Sequence, residues 1–173
     1  LITMDPKFLK AYDPQETEGR IYKTWEESGL FNPDTMVEAG LTKANAKPFT
    51  IMMPPPNATG TLHIGHAMFM TLEDLMTRFH RMRGKAAMWI PGTDHAAIAT
   101  QAKVEKNIFE KEKKTRFDLG REEFLRRVET FAQESHDTMV RQMKAMGASL
   151  DWSREAYTLD TKRSLAVRKA FKS

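Results

Sequence analysis

The chain has 173 residues, 40% of them hydrophobic and 29% charged, which suits one soluble domain with a core rather than a disordered or fibrous chain. No apolar run approaches the roughly 20 residues of a membrane-spanning helix, the N-terminus is too polar for a secretory signal, and no membrane partner is expected. The absence of cysteine excludes disulfides, a thiolate zinc site and a cysteine nucleophile, and it fits a reducing, cytoplasmic setting; the net charge of +4 allows a polyanionic partner without requiring one.

Leu1-Ile2-Thr3 precede the first methionine and read as foreign to a natural start, and residues 5–12 read as an irregular lead-in. Asp13-Pro14-Gln15-Glu16 then sets a helix start with Asp as N-cap, Pro at N1 and Glu at N3, and Gly29 is placed to end that helix. Ile21, Tyr22 and Trp25 share its packing face, and a polar connection follows over residues 32–47. Residues 49–53 read as a buried strand bounded by prolines. A long helix with Leu72, Leu75, Met76, Phe79 and Met82 as a core-facing stripe runs to Gly84. Residues 86–90 form a second short strand, and helical periodicity resumes from about Ala96 to Glu112. The charge-rich run of residues 106–116 reads as a solvated helix end and loop. A second long helix spans residues 121–146, with Phe124, Val128, Phe131, Met139, Met143 and Met146 inward and Gly147 behind it. Leu150-Asp151-Trp152-Ser153 makes a turn before an amphipathic helix over residues 161–171.

Strand, helix, strand, helix in this order predicts an α/β fold with a parallel, Rossmann-like sheet. The domain boundary falls at residue 48, with residues 1–47 a helical lead-in and residues 48–173 the α/β part. Ligands of such sheets sit beyond the carboxyl ends of the strands, so residues 54–66 and 91–95 should face one site. The first of these loops reads Pro54-Pro55-Pro56-Asn57-Ala58-Thr59-Gly60-Thr61-Leu62-His63-Ile64-Gly65-His66. A strand that breaks at prolines and re-enters a helix through a glycine-containing loop offers free N–H groups and a helix dipole to an anion. His63 and His66, three apart, add donors that suit growing charge on a phosphate. Their spacing lacks the i, i+4 pattern of helical zinc sites, and no metal ligand is assigned. Asp94 has the competing reading of a helix N-cap.

His63-Ile64-Gly65-His66 matches the signature of class I aminoacyl-tRNA synthetases. Together with Pro54-Pro55-Pro56-Asn57-x-Thr59-Gly60 and Pro91-Gly92-Thr93-Asp94-His95-Ala96-x-Ile98-Ala99-Thr100-Gln101, the chain resembles their valyl branch over nearly its whole length. Ala97 departs from that pattern, which usually has Gly, and Lys85 stands where an aromatic residue is common. The resemblance implies an ATP-dependent ligase that activates valine as an adenylate and transfers it to tRNA, with Mg²⁺ arriving on ATP. It implies that His63 and His66 are catalytic, stabilising the α-phosphate. Asn57, Thr59, Gly60, Thr61, His63, Gly65 and His66 would bind ATP, and Pro55, Asn57 and Asp94 would bind the amino acid, Asp94 through its ammonium group. No Lys-Met-Ser-Lys-Ser-type loop occurs here. The resemblance therefore implies the first part of a larger enzyme, with little activity alone and apolar surface through which it self-associates. A relative that binds nucleotide or RNA without ligation is the alternative.

Overall fold

Helix α1 (Pro14–Glu27) begins as its sequence dictates, with Asp13 Oδ1 accepting from the N–H groups of Gln15 and Glu16. The computed structural model describes residues 11–172. The readings of Leu1-Ile2-Thr3 and of the lead-in up to residue 10 lie outside the described residues. The polar connection contains a helix that hydrophobic periodicity does not reveal, α2 (Pro33–Glu38), capped by Asn32 with Pro33 at its first position. Asn-Pro-Asp was its signal.

Strand β1 (Pro48–Met52), helix α3 (Ile64–Met82) and strand β2 (Ala86–Ile90) form a β-α-β unit, with Pro48 opposite Ala86 and Met52 opposite Ile90 in parallel register. Two further two-residue strands, β3 (Gly92–Thr93) and β4 (Ala156–Tyr157), pair in parallel beside the end of β2. Between them lie α4 (Ala97–Glu112), a short α5 (Arg116–Leu119) and the long α6 (Arg121–Ala145), then a 3-10 turn (Trp152–Arg154); α7 (Thr161–Ala170) follows β4. No helix of the described residues is long and apolar enough to cross a membrane.

One core cluster joins Met53, Met70 and Trp89 of the β-α-β unit to Ala132, Met139 and Met143 of α6 and to Leu150. A second joins Val104 and Ile108 of α4 to Phe124 and Val128 of α6. Trp89 is fully buried, and its Nε1–H is satisfied by Glu73 Oε2 of α3 at 2.9 Å. Polar pairing also ties α1 and α2 to the α/β part. Arg81 of α3 donates to Phe31 O and to Ser149, while Tyr22 Oη donates to Ala148 O at 2.9 Å and accepts from Trp152 Nε1 at 2.8 Å.

Three expectations are overturned. Leu72, Leu75, Met76, Phe79 and Met82 are all exposed, and α3 buries Met70 and Thr77 instead. The helix lies on the sheet by its opposite face, because β2 meets it through Glu73 and Trp89. Strand β1 is not buried on both sides either: Pro48, Thr50 and Met52 are exposed, with Phe49 and Ile51 half-buried. Helix α7 buries no residue, and Leu165, Val167 and Phe171 beside or within it are exposed. Periodicity finds an apolar stripe but not what covers it. In α6 the stripe is buried at Phe124, Val128, Met139 and Met143, with Met146 left partly exposed. Lys85 is half-buried with its ammonium 5.7 Å from the Phe49 ring centroid.

The Tyr22 hydroxyl is both donor and acceptor in a buried position, and burial pushes its pKa up to about 12 against the lowering effect of Trp152. Tyr22→Phe leaves the Trp152 N–H and the Ala148 carbonyl short of a partner and should lower stability by about 1–2 kcal/mol, read as an earlier urea midpoint with an unchanged slope.

Candidate active site

The loop after β1 and the turn after β2 are laced together by backbone. Asp94 N–H donates to Pro56 O at 2.8 Å, Ala58 N–H donates to Asp94 O at 2.7 Å, and Asn57 and Asp94 form an isolated parallel bridge. Ala58 is fully buried beneath this contact, and Thr59 N–H closes a tight turn onto Asn57 O at 2.7 Å. Pro55 and Asn57 stand exposed on the outer side. A Cβ on Gly92 would lie 3.4 Å from Ala156 O and 3.7 Å from Pro55 Cβ, ordinary contact distances, so this strand passes close to both neighbours.

Farther along the loop, Gly60 has φ of +150°, outside the range most L-residues adopt, and Thr61 is exposed. Leu62 N–H is held by Gln142 Oε1 of α6 at 2.8 Å. His63 is then the N-cap of α3 rather than a residue of its first turn. Its Nδ1 accepts from Gly65 N–H at 3.1 Å, and His66 Nδ1 accepts from His63 N–H, also at 3.1 Å, so the two imidazoles form a reciprocal capping box. Ring centroids lie 3.9 Å apart. With both Nδ1 atoms accepting, each ring carries its proton on Nε2, the outward donor. A Cβ at Gly65 would lie 2.9 Å from His63 Cε1, so a side chain there would push the His63 ring out of its place in the cap.

Asp94 is half-buried, and its Oδ1 accepts from Ala96 N–H at 3.1 Å and from Thr158 Oγ1 at 2.9 Å. It is not the cap of α4. That position belongs to Ala96, in the left-handed region at φ 48° with no side-chain cap. Thr100, fully buried, bonds back to the carbonyls of His95 and Ala58 and fastens the helix start to the loop. Ala97 is exposed at that helix start. The structure thus unites Asn57 with Asp94 and His63 with His66, and residues 58–62 connect the two pairs. Thr100 belongs to the second motif, whereas Gln142 and Thr158 support the site from 80 and 64 residues away in sequence, and no local pattern marks those two. Among the described residues no group of three or more His, Asp or Glu is placed to hold a metal.

The model of the class I tRNA synthetases (I, L, M and V) matches residues 20–173. The chain belongs to this family. Among relatives of this class I chain, the valine–tRNA ligases of Caulobacter vibrioides and Thermus thermophilus are each 52% identical to it over 94% of its length, covering 17% and 18% of those proteins. The valine–tRNA ligase of Treponema denticola is 48% identical over 95% of the chain and 17% of its own length. The chain therefore spans less than a fifth of the relatives it matches. In fold it resembles the Agrobacterium radiobacter K84 LeuRS of a ternary complex with tRNA and LeuAMS, at a TM-score of 0.58 and 21% identity over 84% of this chain and 17% of that one. The parallel α/β expectation holds in this class I chain, as part of a synthetase catalytic fold.

Two histidines of the class I chain should titrate on opposite sides of the ordinary imidazole value of 6.5. Burial, helped by neighbouring His63, lowers His66. Burial also opposes charge on His136, but its hydrogen bonds to Asp137 and Glu155 outweigh that and raise it. Stability from neutral His66 is present above pH 6.5 and fades as pH falls through its lowered pKa. Stability from charged His136 is present below 6.5 and fades as pH rises through its raised pKa. Imidazole resonances followed by NMR should show His66 as the more acidic of the two; the reverse order would contradict the cap.

Proposed function

We propose that the chain forms the amino-acid and α-phosphate half of the adenylation site of a valine–tRNA ligase. The observation that carries the reading is the backbone lacing of Asn57 to Asp94, which joins the two loops, in a chain 52% identical to valine–tRNA ligases. In the reaction the valine carboxylate oxygen bonds to the α-phosphorus of ATP while the bond from that phosphorus to the β-phosphate bridging oxygen breaks. Valyl-adenylate and pyrophosphate result. The terminal ribose hydroxyl of tRNA then takes the acyl group and AMP leaves.

Asp94 binds the valine ammonium through a charge-assisted contact, and Pro55 and Asn57 border the aliphatic side chain. Thr59, Gly60 and Thr61 border ATP, and Gly65 allows the nucleotide close to the backbone. His63 and His66 donate from Nε2 to the α-phosphate oxygens as negative charge grows there. No side chain needs to act as nucleophile, so positioning and directed dipoles carry the acceleration. Mg²⁺ enters on the ATP phosphates. A cytoplasmic location follows from the same reading.

Valine-dependent ATP–pyrophosphate exchange by the full-length ligase carrying this chain tests it. His63→Ala, His66→Ala and Asp94→Ala should each lower exchange by about 100-fold or more, and wild-type rates in all three would overturn the assignment. A relative that only binds nucleotide or RNA would show no exchange in any form.

The bare apolar face of α3 and the exposed side of β1 suit burial against further protein. Taken alone, the 173-residue chain should self-associate through them. Light scattering should show a mass that rises with concentration, and Leu72→Lys with Phe79→Lys should return it towards monomer.

A further inference from the structure

Thr158 lies in neither motif, yet it holds the Asp94 carboxylate. Its Oγ1 accepts from His95 N–H at 2.8 Å, which commits a lone pair and turns the single hydroxyl proton to Asp94 Oδ1 at 2.9 Å. Its own N–H donates to Thr93 O at 3.2 Å, continuing the β3–β4 pairing of Thr93 with Tyr157. Oδ1 also accepts from Ala96 N–H at 3.1 Å, so both lone pairs of this oxygen are engaged by two donors. Oδ2 has no hydrogen bond among the described residues. Ala96 sits at φ 48° and ψ 52° to make its contact, a left-handed conformation unusual for a residue with a Cβ. Strain and hydroxyl together clamp one oxygen of the carboxylate and leave the other to accept.

We propose that Thr158 is a positioning residue for amine recognition: by fixing Asp94 Oδ1, it aims Oδ2 at the ammonium group of the amino-acid substrate. This rests on the ligase reading above and adds a residue that reaches the site from 64 positions downstream. Thr158 touches neither substrate nor reacting atoms in this account, so its loss should act on amino-acid affinity and not on phosphoryl chemistry.

The test is pyrophosphate exchange by the full-length ligase with Thr158→Val, which keeps the shape and removes the hydroxyl. The KM for valine should rise about 10-fold, from loss of one hydrogen bond to a charged group, with kcat and the KM for ATP within twofold of wild type. Thr158→Ser should restore the valine KM. In an Asp94→Asn background, Thr158→Val should add little further, because the two act as one unit. Unchanged valine KM in Thr158→Val, or an equal rise in the KM for ATP, would overturn the positioning role while leaving the ligase reading intact. So would failure of Thr158→Ser to restore affinity, or full additivity with Asp94→Asn. A wild-type enzyme without valine-dependent exchange would overturn the ligase reading and this role with it.

Discussion

The proposed site depends on backbone hydrogen bonds between two loops that leave adjacent parallel strands. Parallel pairing of β1 and β2 ends both strands at the same level. The chain then continues the pairing irregularly, through Pro56, Ala58 and Asp94. Three prolines before Asn57 remove the N–H groups that would extend a regular ladder. What remains is a single short clasp that turns one loop towards α3 and the other towards α4. Side chains at Asn57 and Asp94 are neighbours because of it, and residues 58–62 deliver the histidines to the helix start from a fixed point.

Much of this was legible in sequence because it is written in local chemistry. Asp13-Pro14, the glycines at 29 and 147, the strand at 86–90 and the break after 53 each act over a few residues. The two-loop convergence also followed, since parallel strands connected by a helix must present their ends together. The outward stripe of α3 was not legible. Periodicity fixes which residues share a face, but the choice of face was made by Glu73 reaching the buried indole of Trp89 and by Met70 and Thr77 packing beneath. Helix α2 was missed inside the stretch read as a polar connection, where Asn32 and Pro33 carry a helix-start signal without apolar rhythm.

Within the site, the legible residues are those that motifs group, and the illegible ones are their supports. Gln142 holds Leu62 from α6, and Thr158 reaches Asp94 from beyond the 3-10 turn. Each forms a single hydrogen bond or two across a long sequence gap, and neither spacing nor composition encodes such a contact. The N-cap role offered by Asp94's position was likewise decided by distant geometry. With Oδ1 engaged by Ala96 and Thr158, the helix starts on a strained alanine instead.

The reciprocal cap made by the two histidines has a consequence for how the pocket would meet a nucleotide. A ring whose Nδ1 accepts a backbone N–H is a neutral dipole, so the helix start itself selects donors rather than cations. Neutral donors act at contact distance and in one direction, whereas full charges act over about 10 Å at 0.1 M salt and are weakened by it. If the rings meet phosphate as proposed, their grip would therefore be short in range, dependent on alignment and nearly indifferent to ionic strength. Any long-range attraction of a polyanionic substrate then has to come from lysines and arginines elsewhere on the protein.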